Sequence, residues 1–395
     1  MNSVELFTGA GGLALGLDQA GFYHEAVIEF NQNACDTIRE NQARNHPCVK
    51  QWKLIQQDVR QYDYRAIAGP VDLVAGGPPC QPFSLGGKHR AHLDSRDMFP
   101  QAARAIRELK PRAFIFENVK GLKRQSFASY FSYIMLMLSY PELTLNEGET
   151  WERHLSRLEK HHTKGDHGGL CYHAVSRVLN AADFGVPQKR ERVFIVGFRS
   201  DVGRRWSFPS PTHTEDALLI SQWVSGEYWD LHRVPTKLRP SFPSNMASRI
   251  DRLKSELPLG MERWQTIRDA IADLPKPTER DSTQFHNHRL VPGARVYAGH
   301  TGSPIDQPAK TLKAGVHGVP GGENVITFPD GSFRYFTVRE SARLQHFPDD
   351  YVFHGSWTEC MRQLGNAVPV GLAAFLARSV RDVLGKTEKV QQKAS

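Results

Sequence analysis

Cysteine is scarce in this chain. There are five in 395 residues, an odd number, and no two are spaced as Cys-x-x-Cys. That argues against a disulfide framework and against a four-cysteine zinc site, and for a reducing cytoplasm. Long apolar runs are missing as well. The longest, Phe131 to Leu138, falls far short of the roughly 20 residues that span a bilayer, so no membrane partner is expected. The first strand-like run opens at Val4, which leaves no room for a secretory signal peptide. There is no internal repeat. Acidic residues are the minority charge: 42 Asp and Glu face 50 Lys and Arg, a formal net charge of +8. A basic balance favours an acidic partner, most commonly nucleic acid, although a merely basic soluble enzyme would share it.

The length, with 40% hydrophobic residues, allows two domains or one large domain carrying an insertion. Residues 1–199 alternate short apolar runs with helical patterns, as a doubly wound, mostly parallel α/β sheet does. Strands are expected at Val4–Phe7, Ala26–Glu29, Lys53–Gln56, Val71–Ala75, Ala113–Phe116, Tyr172–Val178 and Arg192–Phe198, and helices at Asn33–Glu40 and Gln101–Leu109. Residues 141–170 read as a polar insertion. Its histidines 161, 162 and 167, with Cys171 and His173, fit no common zinc spacing, so a solvated helix and loop is expected there, and no metal. From about 200 to 335, prolines, serines, basic residues and isolated aromatics replace the βα rhythm, which predicts a second, smaller domain rich in loops and short strands. Helical pattern returns at Val338–Gln345 and Val370–Leu384. The chain is therefore divided into 1–199, 200–360 and 361–395, the last a helix that returns to the first domain.

Two turns carry chemistry. Gly9-x-Gly11-x-x-Ala14 follows the first strand and leads into a helix, a turn that lets backbone approach a nucleotide at a helix N-terminus. Glu29 stands about 20 positions on, where an acid binds ribose hydroxyls, and Asp58 ends the next strand-like segment, placed for an adenine amino group. These residues predict an adenosine ligand without choosing among NAD, FAD and S-adenosylmethionine. The second turn is Gly76-Gly77-Pro78-Pro79-Cys80-Gln81. Glycines and prolines stop a buried strand and hold a thiol at the sheet edge where open α/β folds bind ligands. Glu117 ends another apolar strand, where burial would raise its pKa and fit it to donate a proton. Arg190 and Arg192 lie two apart, on one face of the strand that follows.

With these come Phe7-x-Gly9-x-Gly11-Gly12, Pro78-Pro79-Cys80-Gln81, Glu117-Asn118-Val119, Gln188-x-Arg190-x-Arg192, Arg339-Glu340-x-Ala342-Arg343-Leu344-Gln345-x-Phe347-Pro348 and Gly365-Asn366-x-Val368. In this order the series resembles that of the bacterial-type DNA (cytosine-5)-methyltransferases, and it runs through nearly the whole chain. The resemblance implies the class I fold of S-adenosylmethionine-dependent methyltransferases, with the second domain as target-recognition domain.

The resemblance also implies roles. Cys80 would attack C6 of a flipped-out cytosine, Glu117 would bind N3, and Arg192 would sit near O2, with Arg190 bracing the site and a nearby phosphate. The cofactor, S-adenosylmethionine, leaves as S-adenosylhomocysteine. It would be held by Phe7, Gly9, Gly11, Gly12, Glu29, Asp58, Val59, Pro79, Asn366 and Val368. Double-stranded DNA would be contacted by Gln81, by Ser84, Lys88 and Arg90 of a basic loop hinged at Gly86-Gly87, and by a Thr311-Leu312 element. A monomer in the bacterial cytoplasm, held at the nucleoid by its DNA, completes the expectation. The alternatives are a tRNA cytosine-5 methyltransferase, a catalytically silent DNA-binding protein and an NAD-dependent oxidoreductase.

Overall fold

The apolar runs of the first 199 residues form one seven-stranded sheet in the computed structural model, which describes residues 1–79, 97–165, 168–202, 206–255, 260–314 and 322–394. Its strands are β1 (Asn2–Leu6), β2 (Tyr23–Glu29), β3 (Leu54–Gln56), β4 (Leu73–Gly76), β5 (Ala113–Val119), β6 (Tyr172–Asn180) and β7 (Glu191–Arg199). They lie in the order β3-β2-β1-β4-β5-β7-β6. β1 to β5 run parallel, and β7 opposes both of its neighbours. Winding proceeds outward from β1 to β3 and then crosses to β4. The reversal falls between β1 and β4, so a crevice opens at their carboxyl ends.

Period-two alternation fills both faces of the sheet. On β5, Phe114 and Phe116 join the core under α3 (Phe99–Leu109) and α4 (Ala128–Ser139). Ala113 and Ile115 point the other way, to α1 (Gly12–Gln19) and α12 (Val370–Ala394). Both phenylalanines are fully buried, each contributing about 1.5–3 kcal/mol. Close approach requires glycine at two kinds of place. A Cβ at Gly197 would stand 2.3 Å from the Phe114 ring, and one at Gly16 would stand 2.4 Å from Ala373 Cβ, where α1 and α12 cross.

The insertion forms helix α5 (Trp151–Lys164) after the N-cap Thr150. It is less solvated than its composition predicts. His154 is buried, its Nδ1 2.9 Å from the Tyr133 hydroxyl and its Nε2 2.8 Å from the Leu143 carbonyl. Leu158 joins the core beside α4. His162 Nδ1 lies 2.6 Å from the Tyr140 hydroxyl, and His167 lies outside the described residues.

Residues 200–335 hold the expected short strands: β8 (His213–Thr214) with β9 (Glu262–Arg263), and β10 (Ser303–Pro304), β11 (Val325–Thr327) and β12 (Phe333–Tyr335) in a second small sheet. They also hold more helix than expected: α6 (Glu215–Trp223), α7 (Glu227–Leu231), α8 (Ala247–Leu253) and α9 (Ile267–Ile271). These are too short for a 3.6-residue pattern to stand out. Next come α10 (Val338–Arg343) and α11 (Trp357–Asn366). The Tyr351 hydroxyl donates to the Ala10 carbonyl at 2.7 Å, and Asn41 exchanges two hydrogen bonds with the backbone of Val352. A single apolar cluster joins Ala14, Val27 and Trp52 to Ile267, Leu312, Phe336 and Leu364. A division at residue 361 therefore runs through continuous core.

Candidate functional site

The chain turns sharply where β1 ends. Phe7, Gly9 and Gly11 take left-handed backbone, with φ of 55°, 58° and 83°. Phe7 is the strained one, because a side chain disfavours that region. Nothing lies within 4 Å of the place a Gly9 Cβ would occupy. That open space belongs to a cavity of about 680 Å³ lined by Phe7, Gly9, Glu29, Asp58, Val59, Pro79, Asn366 and Val368. Eight of the expected cofactor residues thus converge at the β1/β4 crevice.

Gly11 and Gly12 are not in that wall. A Cβ on Gly11 would meet the Trp52 ring at 2.9 Å, and one on Gly12 would meet the Val368 carbonyl oxygen at 2.3 Å. They serve the turn and the packing of α1, not the lining of the cavity.

The wall is stiff at its acidic positions. Glu29 Oε2 accepts from the Gly9 N–H at 2.6 Å, and Oε1 accepts from the N–H groups of Phe30 and Asn31 at 2.9 and 2.7 Å. Asp58 caps a short 3-10 turn and pairs with Arg60, whose hydrogen bonds hold its carboxyl below the usual carboxylate range. Among the wall residues that went unread in the sequence, two stand out. Phe30 is 71% exposed at the cavity rim. Glu5, on β1, is fully buried with neither carboxylate oxygen bonded. Burial pushes its pKa well up. Nothing in periodicity separates an exposed Phe at a strand end from a core one, or a buried Glu from a solvated one.

The same cavity receives Glu117 and Arg192. Glu117 ends β5 and is 7% exposed. Arg192 Nε stands 3.0 Å from its Oε1, but off the line of a hydrogen bond, so that oxygen lacks an aligned donor. Burial raises the Glu117 pKa, and the positive charges of Arg192 and Arg190 oppose the rise. Asn118 fixes the neighbouring turn: its Nδ2 donates to the Pro78 carbonyl at 2.9 Å. Pro79, the residue before Cys80, lines the cavity with Glu117. Cys80 itself lies outside the described residues, as do Gln81, Ser84, Lys88 and Arg90.

Two expected contacts need correction. Arg190 is fully buried, so it reaches no phosphate. Its guanidinium donates to the carbonyls of Leu312 at 3.3 Å and Gly365 at 2.7 Å, bracing the segment after β10 and the end of α11 against the start of β7. Leu312 is 1% exposed within the core and presents nothing to DNA. The Thr311 hydroxyl is taken up by the Lys189 carbonyl at 2.7 Å. A long-range bond of this kind leaves no local pattern to read. Among the described residues, no group of His, Cys, Asp or Glu is arranged to hold a metal ion, and no helix is long and apolar enough to cross a membrane.

Sheet order and crevice are those of the α/β methyltransferase fold. The Dnmt2 methyltransferase of S. pombe shares the fold with a TM-score of 0.56 at 18% identity, covering 97% of this chain and 99% of that one. The family model for C-5 cytosine-specific DNA methylases matches residues 1–140 and 143–382. Type II methyltransferase M.PspPI of Psychrobacter sp. (strain TA137) is 32% identical over 392 residues, which cover 98% of this chain and 80% of that protein. Type II methyltransferase M.Eco47II of Escherichia coli is 30% identical with the same coverage. The chain belongs to the C-5 cytosine-specific DNA methylase family and is a DNA (cytosine-5)-methyltransferase.

Proposed function

We propose that this enzyme transfers the methyl group of S-adenosylmethionine to C5 of a flipped-out cytosine, at a short sequence in duplex DNA, through a covalent adduct with Cys80. The observation that carries the reading is the convergence of a nucleotide-type wall and the Glu117–Arg192 pair on one cavity. S-adenosylmethionine fits that wall. Phe30 offers an exposed ring for adenine, Asp58 and Val59 its polar edge, Glu29 the ribose hydroxyls, and the open space beside Gly9 room for the rest. When bound, the cofactor supplies an electrophilic methyl group.

Cytosine C5 is a poor nucleophile, and C6 is shielded while the base is stacked, so the base must leave the duplex at a cost of a few kcal/mol. The Cys80 thiolate then adds to C6, and C5 becomes enamine-like and takes the methyl group. Glu117, kept protonated to higher pH by burial, donates to N3 as charge gathers there. Arg192 balances charge at O2. Loss of the C5 proton to a base drawn from solvent breaks the S–C6 bond and returns the thiolate. Gln81, Ser84, Lys88 and Arg90 are assigned to DNA contact on sequence alone. A modification role beside a restriction endonuclease in a bacterial cytoplasm suits relatives named Type II methyltransferases.

The test is transfer of labelled methyl groups to duplex plasmid and to tRNA in parallel. Label recovered as 5-methylcytosine in the plasmid is expected, and label in tRNA alone would overturn the reading.

A further inference from the structure

From residue 282 to residue 305 the chain carries no Asp or Glu, while Arg289, Arg295 and three histidines fall within it. Most of the stretch from 289 to 301 is exposed and belongs to no helix or strand. Its tip is a tight turn. Tyr297 and His300 exchange backbone hydrogen bonds of 3.3 and 2.8 Å, and Gly299 supplies the left-handed φ of 82° that closes it. Tyr297 is 46% exposed, its ring 4.6 Å from that of His300. Leu290 and Val296 are exposed beside it.

The position of the turn gives this surface meaning. Lys310 Nζ donates to Thr301 Oγ1 at 3.1 Å, and Glu323 bridges His300 and Lys313. The intervening Ala309–Leu312 run is bonded to 187–190, just ahead of Arg192 and the catalytic cavity. Four nearby arginines are already spent. Arg263, Arg268, Arg334 and Arg343 each pair with a carboxylate. Arg289 and Arg295 pair with none among the described residues.

We propose that this turn reads the target duplex, with Tyr297 against base edges and Arg289 and Arg295 on the flanking phosphates. The inference rests on the DNA-methylation reading. Unpaired arginines suit backbone phosphates, which fix register, and an exposed aromatic suits the groove, where sequence is read.

The test uses the full chain, plasmid DNA from a host lacking the enzyme, and bisulfite sequencing of the methylated positions. Tyr297→Ala should lower kcat/KM at the preferred site about ten-fold and broaden the sequence around the modified cytosine. Arg289→Ala and Arg295→Ala should keep the sequence, weaken binding to all duplexes and each reduce the slope of log affinity against log salt by about 1. Thermal melts close to wild type would show that the fold is intact. If the wild-type enzyme methylates the plasmid and the variants keep its sequence preference, affinity and salt slope, the inference is overturned. Loss of binding to tRNA but not to duplex DNA would overturn it too, by making the partner RNA. If the wild-type enzyme methylates no duplex at all, the underlying reading fails instead.

Discussion

At the scale of single residues, Glu117 and Arg192 are the proposed catalytic pair, 3.0 Å apart in one cavity, and the pKa of Glu117 is the quantity to test. The folded chain holds that proton to higher pH than the unfolded chain does, so the group's contribution to stability falls as pH climbs from its ordinary value of 4.5. Glu117→Gln cannot ionise. It should remove that loss in pH-dependent melts, cut methylation about 10²–10⁴-fold, and erase the alkaline limb that deprotonation imposes on kcat/KM. Cys80→Ser should abolish methylation and leave DNA binding intact, as measured by filter retention of a labelled duplex. Glu117 was legible because an apolar strand ending in a carboxylate is a local signal. Arg190 was only half legible. Its spacing from Arg192 marked it, but its acceptors, Leu312 and Gly365, lie 122 and 175 residues along the chain. No local pattern shows that they are carbonyls rather than a phosphate.

Among elements, the inner strands of the central sheet, such as β1, β4, β5 and β7, were readable because buried strands are short apolar runs bounded by turn residues. The short helices of 200–335 were not, although the capping box of Thr266 and Asp269 at the start of α9 is a sequence signature that could have exposed one of them. The contact between α11 and the segment after β10 is set by one glycine. A Cβ on Gly365 would stand 2.3 Å from the Ala314 backbone nitrogen. Gly365→Ala must therefore push that segment away, beside both Asn366 and the Arg190 brace. Destabilisation of about 1–3 kcal/mol is expected in denaturant titration, with weaker cofactor binding by calorimetry. Unchanged values for both would mean that the segment yields freely.

For the whole molecule, the sequence division returned 361–395 to the first domain but kept 337–360 with 200–335, whereas 337–360 packs on the first core. Those residues carry their own helix caps and pattern, and only the packed structure shows Tyr351 reaching Ala10 and Asn41 holding Val352. The net charge of +8 belongs to the same scale. If about six phosphates are neutralised, duplex affinity should fall roughly 10³-fold between 50 and 200 mM salt, and a flat salt response would contradict a backbone-tracking surface. The most direct test of the enzyme's chemistry traps its adduct. Duplex DNA carrying 5-fluorocytosine, incubated with the enzyme and S-adenosylmethionine, should accumulate a covalent complex, because fluorine cannot leave C5 as a proton does. Mass spectrometry should find the nucleotide on the peptide containing Cys80. A complex on another residue, or none while ordinary cytosine is methylated under the same conditions, would contradict attack by Cys80 at C6.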